Sequence, residues 1–168
     1  MFQIFGFYKF KRLYNLEILK KKFQSYLLNN DIRGTIIFSK EGINGNISGK
    51  RNNILKIKKL LKKICKIKNF DSENNSTSIF QPFHRGKIKI KNEVVPIGIN
   101  VLPTEKIKNL VEPIKWNLLL KEKGVKIIDA RKPFEFNVGT FKGAKNPKIN
   151  HFRDFPKYLK EFNKENKI

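Results

Sequence analysis

Alternating cations mark one segment of the chain for contact with a polyanion. Lys87, Lys89 and Lys91 alternate with isoleucines, which predicts a half-exposed strand with three ammonium groups on one face. Cations of this kind contact phosphates, and aromatic rings stack on unpaired bases. The pattern fits RNA binding, and it fits equally a solvated lysine face above phenylalanines of the core. The neighbouring candidates for the same contact are His84, Arg85, Phe80 and Phe83.

A glycine-rich segment, residues 41–45 (EGING), is a second candidate contact with RNA. Gly42, Asn44 and Gly45 are typical of a turn with positive φ, and a turn exposes its backbone and side chains. Lys40 precedes this turn and adds a cation. The simpler interpretation is a turn with no ligand.

The single cysteine is not a good candidate nucleophile. Cys65 lies beside Leu61 and Ile64, on the apolar stripe of a predicted helix, so we expect it to pack in the core. One cysteine excludes an intramolecular disulfide and is typical of a reducing compartment. With only two histidines, far apart, the spacing of zinc ligands is missing and no metal site is expected.

Composition limits the class of protein. The 168 residues are 39% hydrophobic and 12% aromatic, enough for a packed core, and the net charge is +23. Such a charge attracts polyanions, although 31 lysines against six arginines also fit compositional drift in an AT-rich genome. No apolar run approaches the roughly 20 residues that span a bilayer. The aromatic start predicts a strand and not a signal peptide, so we expect a cytoplasmic protein.

The first hundred residues have the pattern of one small domain. Period-2 and helical patterns alternate in the order strand, helix, hairpin, helix, strand, which predicts a ferredoxin-like α+β domain over residues 1–100. The polar residues 71–78 (DSENNSTS) are expected to form a loop. The predicted elements are strands at 2–10, 34–39, 46–48 and 87–91, and helices at 16–27, with Asn15 as N-cap, and at 54–64.

The remaining residues have a different pattern. A linker is expected at 101–113, with prolines at 103 and 113, followed by a second domain at 114–168. Its predicted helices, at 116–123 and 151–163, flank a strand at 125–129 and a loop at 134–145, and Pro156 delays the second helix. Strand, loop and helix favour a parallel α/β sheet, but one buried strand needs neighbours, so the second domain is expected to be incomplete.

Six motifs in order resemble one family. Residues 34–49 (GTIIFSKEGINGNISG), 81–99 (QPFHRGKIKIKNEVVPIGI) and 129–147 (DARKPFEFNVGTFKGAKNP), with FYKF, VEPIKWNLLL and HFRDFPKYLKE, resemble the bacterial rhodanese-like tRNA uridine 5-hydroxylases. The resemblance implies a ferredoxin-like domain followed by a rhodanese-like domain. It also implies that tRNA is the partner and substrate, that the wobble uridine is hydroxylated, and that molecular oxygen is the co-substrate, with no other small-molecule cofactor evident.

The resemblance also assigns roles to residues. Asp129 and Arg131 match the family's DxR motif and Glu135 matches the glutamate after it, so these three are scaffold residues near the family's active site. A carboxylate at the carboxyl end of a strand lies on the functional side of such a sheet, although a local salt bridge that organises the loop explains it as well. The family's reactive cysteine would lie beyond Ile168, so no catalytic residue is assigned and the chain alone is expected to be inactive.

Three functions follow from these observations. The first is an N-terminal part of a tRNA uridine hydroxylase, an oxidoreductase, for which a separately encoded C-terminal piece is a candidate partner. The second is a noncatalytic RNA-binding or interaction module, and the third is a sulfurtransferase. A basic amphipathic helix at 54–64 also occurs on membrane surfaces, but between strands it is more typical of a sheet cover.

Overall fold

A computed structural model describes residues 1–98 and 111–166, with the side chains of the last helix up to Phe162. The chain forms two compact units, whose described parts are residues 1–95 and residues 96–98 with 111–166. The linker expected at 101–113 lies almost entirely outside the described residues.

The N-terminal unit (residues 1–95) is a five-stranded sheet with two helices. The strands run in the spatial order β4-β1-β3-β2-β5, with all neighbours antiparallel except β2 and β5. Two interlocked β-α-β units generate this order, as in the ferredoxin-like fold, so the predicted fold class is confirmed. The elements are β1 (Phe2–Phe10), α1 (Leu16–Asn29), β2 (Arg33–Ser39), β3 (Gly42–Gly49), α2 (Arg51–Ile64), β4 (Ser72–Ser78) and β5 (Gly86–Ile90).

The core of this unit lies between the helices and one face of the sheet. Phe5 and Phe7 stack with their ring centroids 4.8 Å apart, and Phe23 of α1 meets Phe38 of β2 at 5.4 Å. Because side chains alternate along a strand, alternate residues of β1, β2 and β3 face this core. Each helix buries one stripe of apolar residues at helical spacing, namely Leu19, Phe23 and Leu27 of α1 and Ile54, Ile57 and Leu61 of α2.

The fourth strand of the ferredoxin-like fold was assigned to the wrong segment. Residues 71–78, expected as a polar loop, contain the edge strand β4, which pairs with β1 from Phe2–Ser78 to Tyr8–Ser72. The strand predicted at 87–91 is β5, an additional edge strand parallel to β2. β4 is exposed on both faces, so it carries no apolar alternation that could reveal it.

The turn expected at residues 41–45 is right only in part, since the turn lies at residues 40–41 and Gly42 after it has the expected positive φ, +152°. β3 begins at Gly42, and Asn44 and Gly45 are extended residues of the central strand. A Cβ on Gly45 would lie 2.6 Å from the Phe7 ring, so this glycine serves close packing and not a turn. Gly34 has φ +112°, and a Cβ there would lie 2.2 Å from the backbone oxygen of Asn46. Both glycines are therefore required by the approach of neighbouring strands.

The C-terminal unit has short helices and almost no sheet. The strand expected at 125–129 is reduced to one parallel bridge between Ile128 and Lys145. The loop expected at 134–145 contains a helix that begins at a proline, as does the preceding helix. The elements are α3 (Pro113–Leu119), α4 (Pro133–Val138), a 3-10 turn (Phe152–Asp154) and α5 (Phe155–Asn166), which Pro156 delays as expected.

The described side chains of this unit form little core. Phe162 is the one apolar side chain among them that is buried. It lies under the ammonium group of Lys126, 5.3 Å from the ring centroid. Large apolar side chains of the unit stay exposed, among them Ile114 at 80%, Phe134 at 65% and Val138 at 88%.

Candidate nucleic-acid interface

The sheet of the N-terminal unit has one face that neither α1 nor α2 covers, which we call the open face. Its positions alternate with the core residues of each strand. Four strands contribute polar groups, the fifth contributes lysines, and no described strand residue on this face is a carboxylate. The residues are Ile4, Gly6, Tyr8, Arg33, Thr35, Ile37, Asn44, Asn46, Ser48, Ser72, Asn74, Ser76, Lys87 and Lys89.

The two predicted strand lysines lie on the open face. Lys87 pairs with Thr35 and Lys89 with Ile37 in the parallel register of β5 and β2. Ile88 between them is 4% exposed and points into the core. The predicted alternation is therefore confirmed for Lys87 and Lys89, which lie on the same face of one edge strand, whereas Lys91 lies one residue beyond the end of β5.

His84 and Arg85 are exposed side chains just before β5. Their backbone is held to β2, since the carbonyl of Arg85 accepts the Gly34 N–H at 3.0 Å and that of His84 accepts from the Arg33 guanidinium at 3.5 Å. Of the two phenylalanines, Phe80 is 65% exposed. These backbone contacts leave both side chains outside the core, next to Lys87.

Asn44 is less available than its position suggests. It is half-buried on the open face, and its amide donates to the carbonyl of Val94 at 3.5 Å. The Val94 N–H donates in turn to the carboxylate of Glu41 at 3.2 Å. The segment at Val94 therefore occupies this end of the face. Lys40 is exposed and lies elsewhere, where with Arg12 it lines a surface cavity of about 770 Å³ beside the start of α1.

The open face also includes polar residues that the sequence did not mark as candidate RNA contacts. Asn46 and Asn74 are exposed. They lie on the two strands beside β1, and both are paired with Gly6 in the sheet. The alternation of β3, with isoleucines at 43 and 47 against amides at 44 and 46, was the available signal. It was obscured because the segment's two glycines suggested a turn.

Asp129 and Arg131 organise a loop of the C-terminal unit. The Arg131 guanidinium donates to the Asp129 carboxylate through Nε at 2.9 Å and Nη2 at 2.6 Å, and the Thr140 hydroxyl donates at 2.8 Å. The Asn146 amide donates to the backbone oxygens of Asp129 at 2.9 Å and Arg131 at 2.7 Å. This is the local salt bridge that was one of the two interpretations of the pair.

These bonds fix the charge states of the pair. The hydrogen bond from Arg131, followed by that from Thr140, holds the pKa of Asp129 well below its usual range. The same carboxylate raises the pKa of Arg131. Glu135 accepts the Lys132 N–H at 3.2 Å and so caps α4. Three residues matched to the family's scaffold are thus structural here, and their nearness to an active site stays a prediction.

A cavity of about 470 Å³ lies beside the Asp129 loop. Its walls include Trp116, Ile127 and Phe141, and the rings of Trp116 and Phe141 meet edge to face at 5.5 Å. The Trp116 indole N–H is buried without a hydrogen-bond partner among the described residues. The apolar walls are joined by the polar side chains of Asp129, Arg131 and Thr140, so the lining of the cavity is mixed.

Cys65 is placed as predicted, at the end of α2 and 4% exposed in the core cluster. Burial raises the pKa of its thiol to about 11, against a smaller opposing effect of Lys11. Within the described residues no group of three or more His, Cys, Asp or Glu is arranged to hold a metal ion. None of the described helices is long and apolar enough to cross a membrane.

A family model described as the UPF0176 acylphosphatase-like domain matches residues 2–94. The chain belongs to this family. Among curated relatives, the tRNA uridine(34) hydroxylase of Pelagibacter ubique is 51% identical over the whole chain. That of the Wolbachia of Brugia malayi is 35% identical over 99% of it. The resemblance derived from the motifs is thereby confirmed.

The chain spans 56% of the Pelagibacter relative and 62% of the Wolbachia relative. Acylphosphatase from Bacillus subtilis, a solved structure, is similar to 52% of this chain over 98% of its own length, with 12% identity and a TM-score of 0.39. The family assignment does not depend on that weak likeness.

Proposed function

We propose that this chain is the tRNA-docking portion of an enzyme that hydroxylates the wobble uridine of tRNA. The observation that carries the proposal is 51% identity along all 168 residues to a relative named tRNA uridine(34) hydroxylase. Identity of that extent covers both units, so it supports a shared role for the whole segment and not only a shared fold.

The N-terminal unit supplies the docking surface. Lys87 and Lys89 on the open face, with Arg85 next to them, offer phosphate contacts without a nearby strand carboxylate to compete. The net charge of +23 attracts tRNA from a distance, and sequence-independent affinity of this kind depends on salt. Because tRNA is abundant in the cytoplasm, we place the protein there.

The C-terminal unit supplies part of a rhodanese-like scaffold. On one edge of the segment around Ile128, the Asp129 N–H and the Ile127 carbonyl bond to Lys145, but on the other edge the Ile128 N–H and carbonyl have no backbone partner among the described residues. Unpaired backbone groups in a covered strand cost about 1–3 kcal/mol each. A further polypeptide segment that pairs beside Ile128 relieves that cost, and we assign this role to the part of the relatives that this chain does not span.

The reactive thiol also comes from that further segment. A thiolate is the nucleophilic form of cysteine, and burial keeps Cys65 protonated with a pKa of about 11. Molecular oxygen is the co-substrate that the family implies. The chain on its own is expected to bind tRNA without modifying it.

A chimera tests this function. The chain is joined to the portion of the Pelagibacter relative that it does not span, and unmodified tRNA is incubated with the chimera, the chain or no protein in the presence of oxygen. Nucleoside mass spectrometry should detect 5-hydroxyuridine with the chimera alone. A chimera that is folded and binds tRNA but stays inactive, beside an active Pelagibacter enzyme, would favour the noncatalytic RNA-binding module.

A further inference from the structure

One row of the open face crosses all five strands. Asn74 pairs with Gly6, Gly6 with Asn46, Asn46 with Thr35, and Thr35 with Lys87. Neighbouring strands lie about 4.8 Å apart, so the row is roughly 19 Å long. The row begins with two amides on either side of a glycine and ends at an ammonium group. We call these five residues the amide row.

The two amides of this row are not used by the fold. Neither Asn46 nor Asn74 forms a side-chain hydrogen bond to the described residues, and both are exposed. Asparagine is disfavoured in strands, so these two residues, each paired with Gly6 of β1, reduce the stability of the sheet. Four amides outside the row are bound to backbone carbonyls, those of Asn30, Asn44, Asn53 and Asn146, whereas the exposed amides of Asn52 and Asn75 are not.

The glycine between the amides leaves a gap. Gly6 is extended, and a Cβ built on it would meet Asn46 Oδ1 and Asn74 Cβ at 3.9 Å, which is ordinary contact distance. Neither backbone conformation nor packing therefore requires glycine here. Its effect is to leave open space between two donor–acceptor groups.

The chemistry of the row fits an unpaired base. A carboxamide offers an N–H donor and a carbonyl acceptor side by side, which matches the Watson–Crick edge of a nucleotide. In duplex RNA those edges are already paired, and the deep major groove excludes side chains. The ammonium group of Lys87 at the end of the row suits the phosphate that accompanies a bound base.

We propose that the amide row binds an unpaired stretch of about two or three RNA nucleotides, as single-strand-binding sheets do. Asn46 and Asn74 pair with base edges over Gly6, and Lys87 binds a phosphate. The inference rests on the proposed docking of tRNA, and it specifies that a loop of the tRNA, and not a helical stem, meets this sheet.

The test compares unpaired and paired RNA on the full chain. Fluorescence anisotropy measures the affinity for a labelled nine-nucleotide oligouridine and for a labelled RNA hairpin stem. The variant Asn46→Ala/Asn74→Ala should lose about tenfold in affinity for oligouridine, because it removes two pairing groups. Its affinity for the stem should change less than about twofold.

A matched control removes two exposed amides outside the row. Asn75 neighbours Asn74 on β4 but lies on the opposite face, paired with Phe5, and Asn52 is on α2. Asn52→Ala/Asn75→Ala should bind both RNAs as the parent does. Gly6→Val fills the gap without touching the core and should reproduce the loss for oligouridine, so the proposal does not depend on the folding of one variant.

The outcomes separate this inference from the proposed function. If the amide variant and Gly6→Val leave oligouridine binding unchanged, or weaken both RNAs equally, the amide row is not a base-binding site, while docking of tRNA stands. If the parent chain binds neither tRNA nor the oligonucleotides, the docking role itself is wrong and the inference falls with it.

Discussion

Burial of Cys65 has a measurable consequence for its reactivity. Its pKa of about 11 lowers the thiolate fraction at about pH 8 roughly a hundredfold relative to a thiol of pKa about 9. A more basic thiolate is intrinsically more nucleophilic, with a Brønsted slope of about 0.4–0.5, which leaves a net slowing of about tenfold. Since the side chain is 4% exposed, alkylation must also wait for local opening.

Iodoacetamide alkylation followed by mass spectrometry measures this effect. The folded chain should react at least about tenfold more slowly than the same chain in concentrated urea. A folded rate equal to or above the unfolded rate would show an accessible, activated thiol. That result would refute the reasoning that the nucleophile lies on another segment.

The same thiol gives a pH dependence of stability. The unfolded chain releases the thiol proton near pH 9 and the folded chain only near pH 11, so rising pH in this window favours unfolding. The stabilisation is complete below about pH 9, and about 1–3 kcal/mol is lost by pH 11. In urea melts at about pH 9 and pH 11, Cys65→Ala should remove this difference in stability between the two pH values. An unchanged difference would contradict the assignment of the effect to Cys65.

Three further predictions follow. The Asp129 carboxyl, titrated by NMR, should stay ionised at a pH where an ordinary aspartate is already protonated, because its lowered pKa keeps the loop bonds until pH falls through the folded value. Arg131→Gln should raise that pKa more than Thr140→Ala, and a normal pKa in the parent would contradict this. Gly34→Ala should lower the free energy of unfolding, measured in urea melts, by more than about 3 kcal/mol. Gly49→Ala, where a Cβ would lie 3.4 Å from the nearest atom, should lower it much less, and equal losses would contradict the strand contact. By hydrogen exchange, residues 35–38 should be protected far more than residues 125–129, and equal protection in a monomer would show that the C-terminal unit is complete.

The elements that sequence predicted correctly are those with an apolar period. Phe5 and Phe7 in β1 and the stripes of α1 and α2 repeat at the spacing that a half-buried strand or helix requires. β4 has no such repeat, because both its faces are exposed and its pairing with β1 alone determines its structure. Gly45 was misassigned to a turn because its cause, the Phe7 ring across the sheet, is a tertiary contact.

The candidate site was predictable only where its residues belong to an apolar period. Lys87 and Lys89 were found because Ile88 between them is a core residue. Asn46 and Asn74 belong to strands far apart in sequence, and only the register through Gly6 brings them together. In the C-terminal unit, Asp129 was found as a strand-end carboxylate, but its bonds to Arg131 and Thr140 depend on a loop path that local patterns do not specify.

The affinity of the chain for unmodified tRNA as a function of salt tests the docking role most directly. Filter binding between low and physiological salt should give a linear log–log plot with a slope near −2 to −4, because each phosphate contact contributes about −0.7 to −0.9. Lys87→Ala/Lys89→Ala should flatten the slope by about 1.5, whereas Lys56→Ala/Lys59→Ala, which removes equal charge from the exposed side of α2, should flatten it much less. An affinity that barely changes with salt, or equal effects of the two lysine pairs, would contradict the account that tRNA docks on the open face.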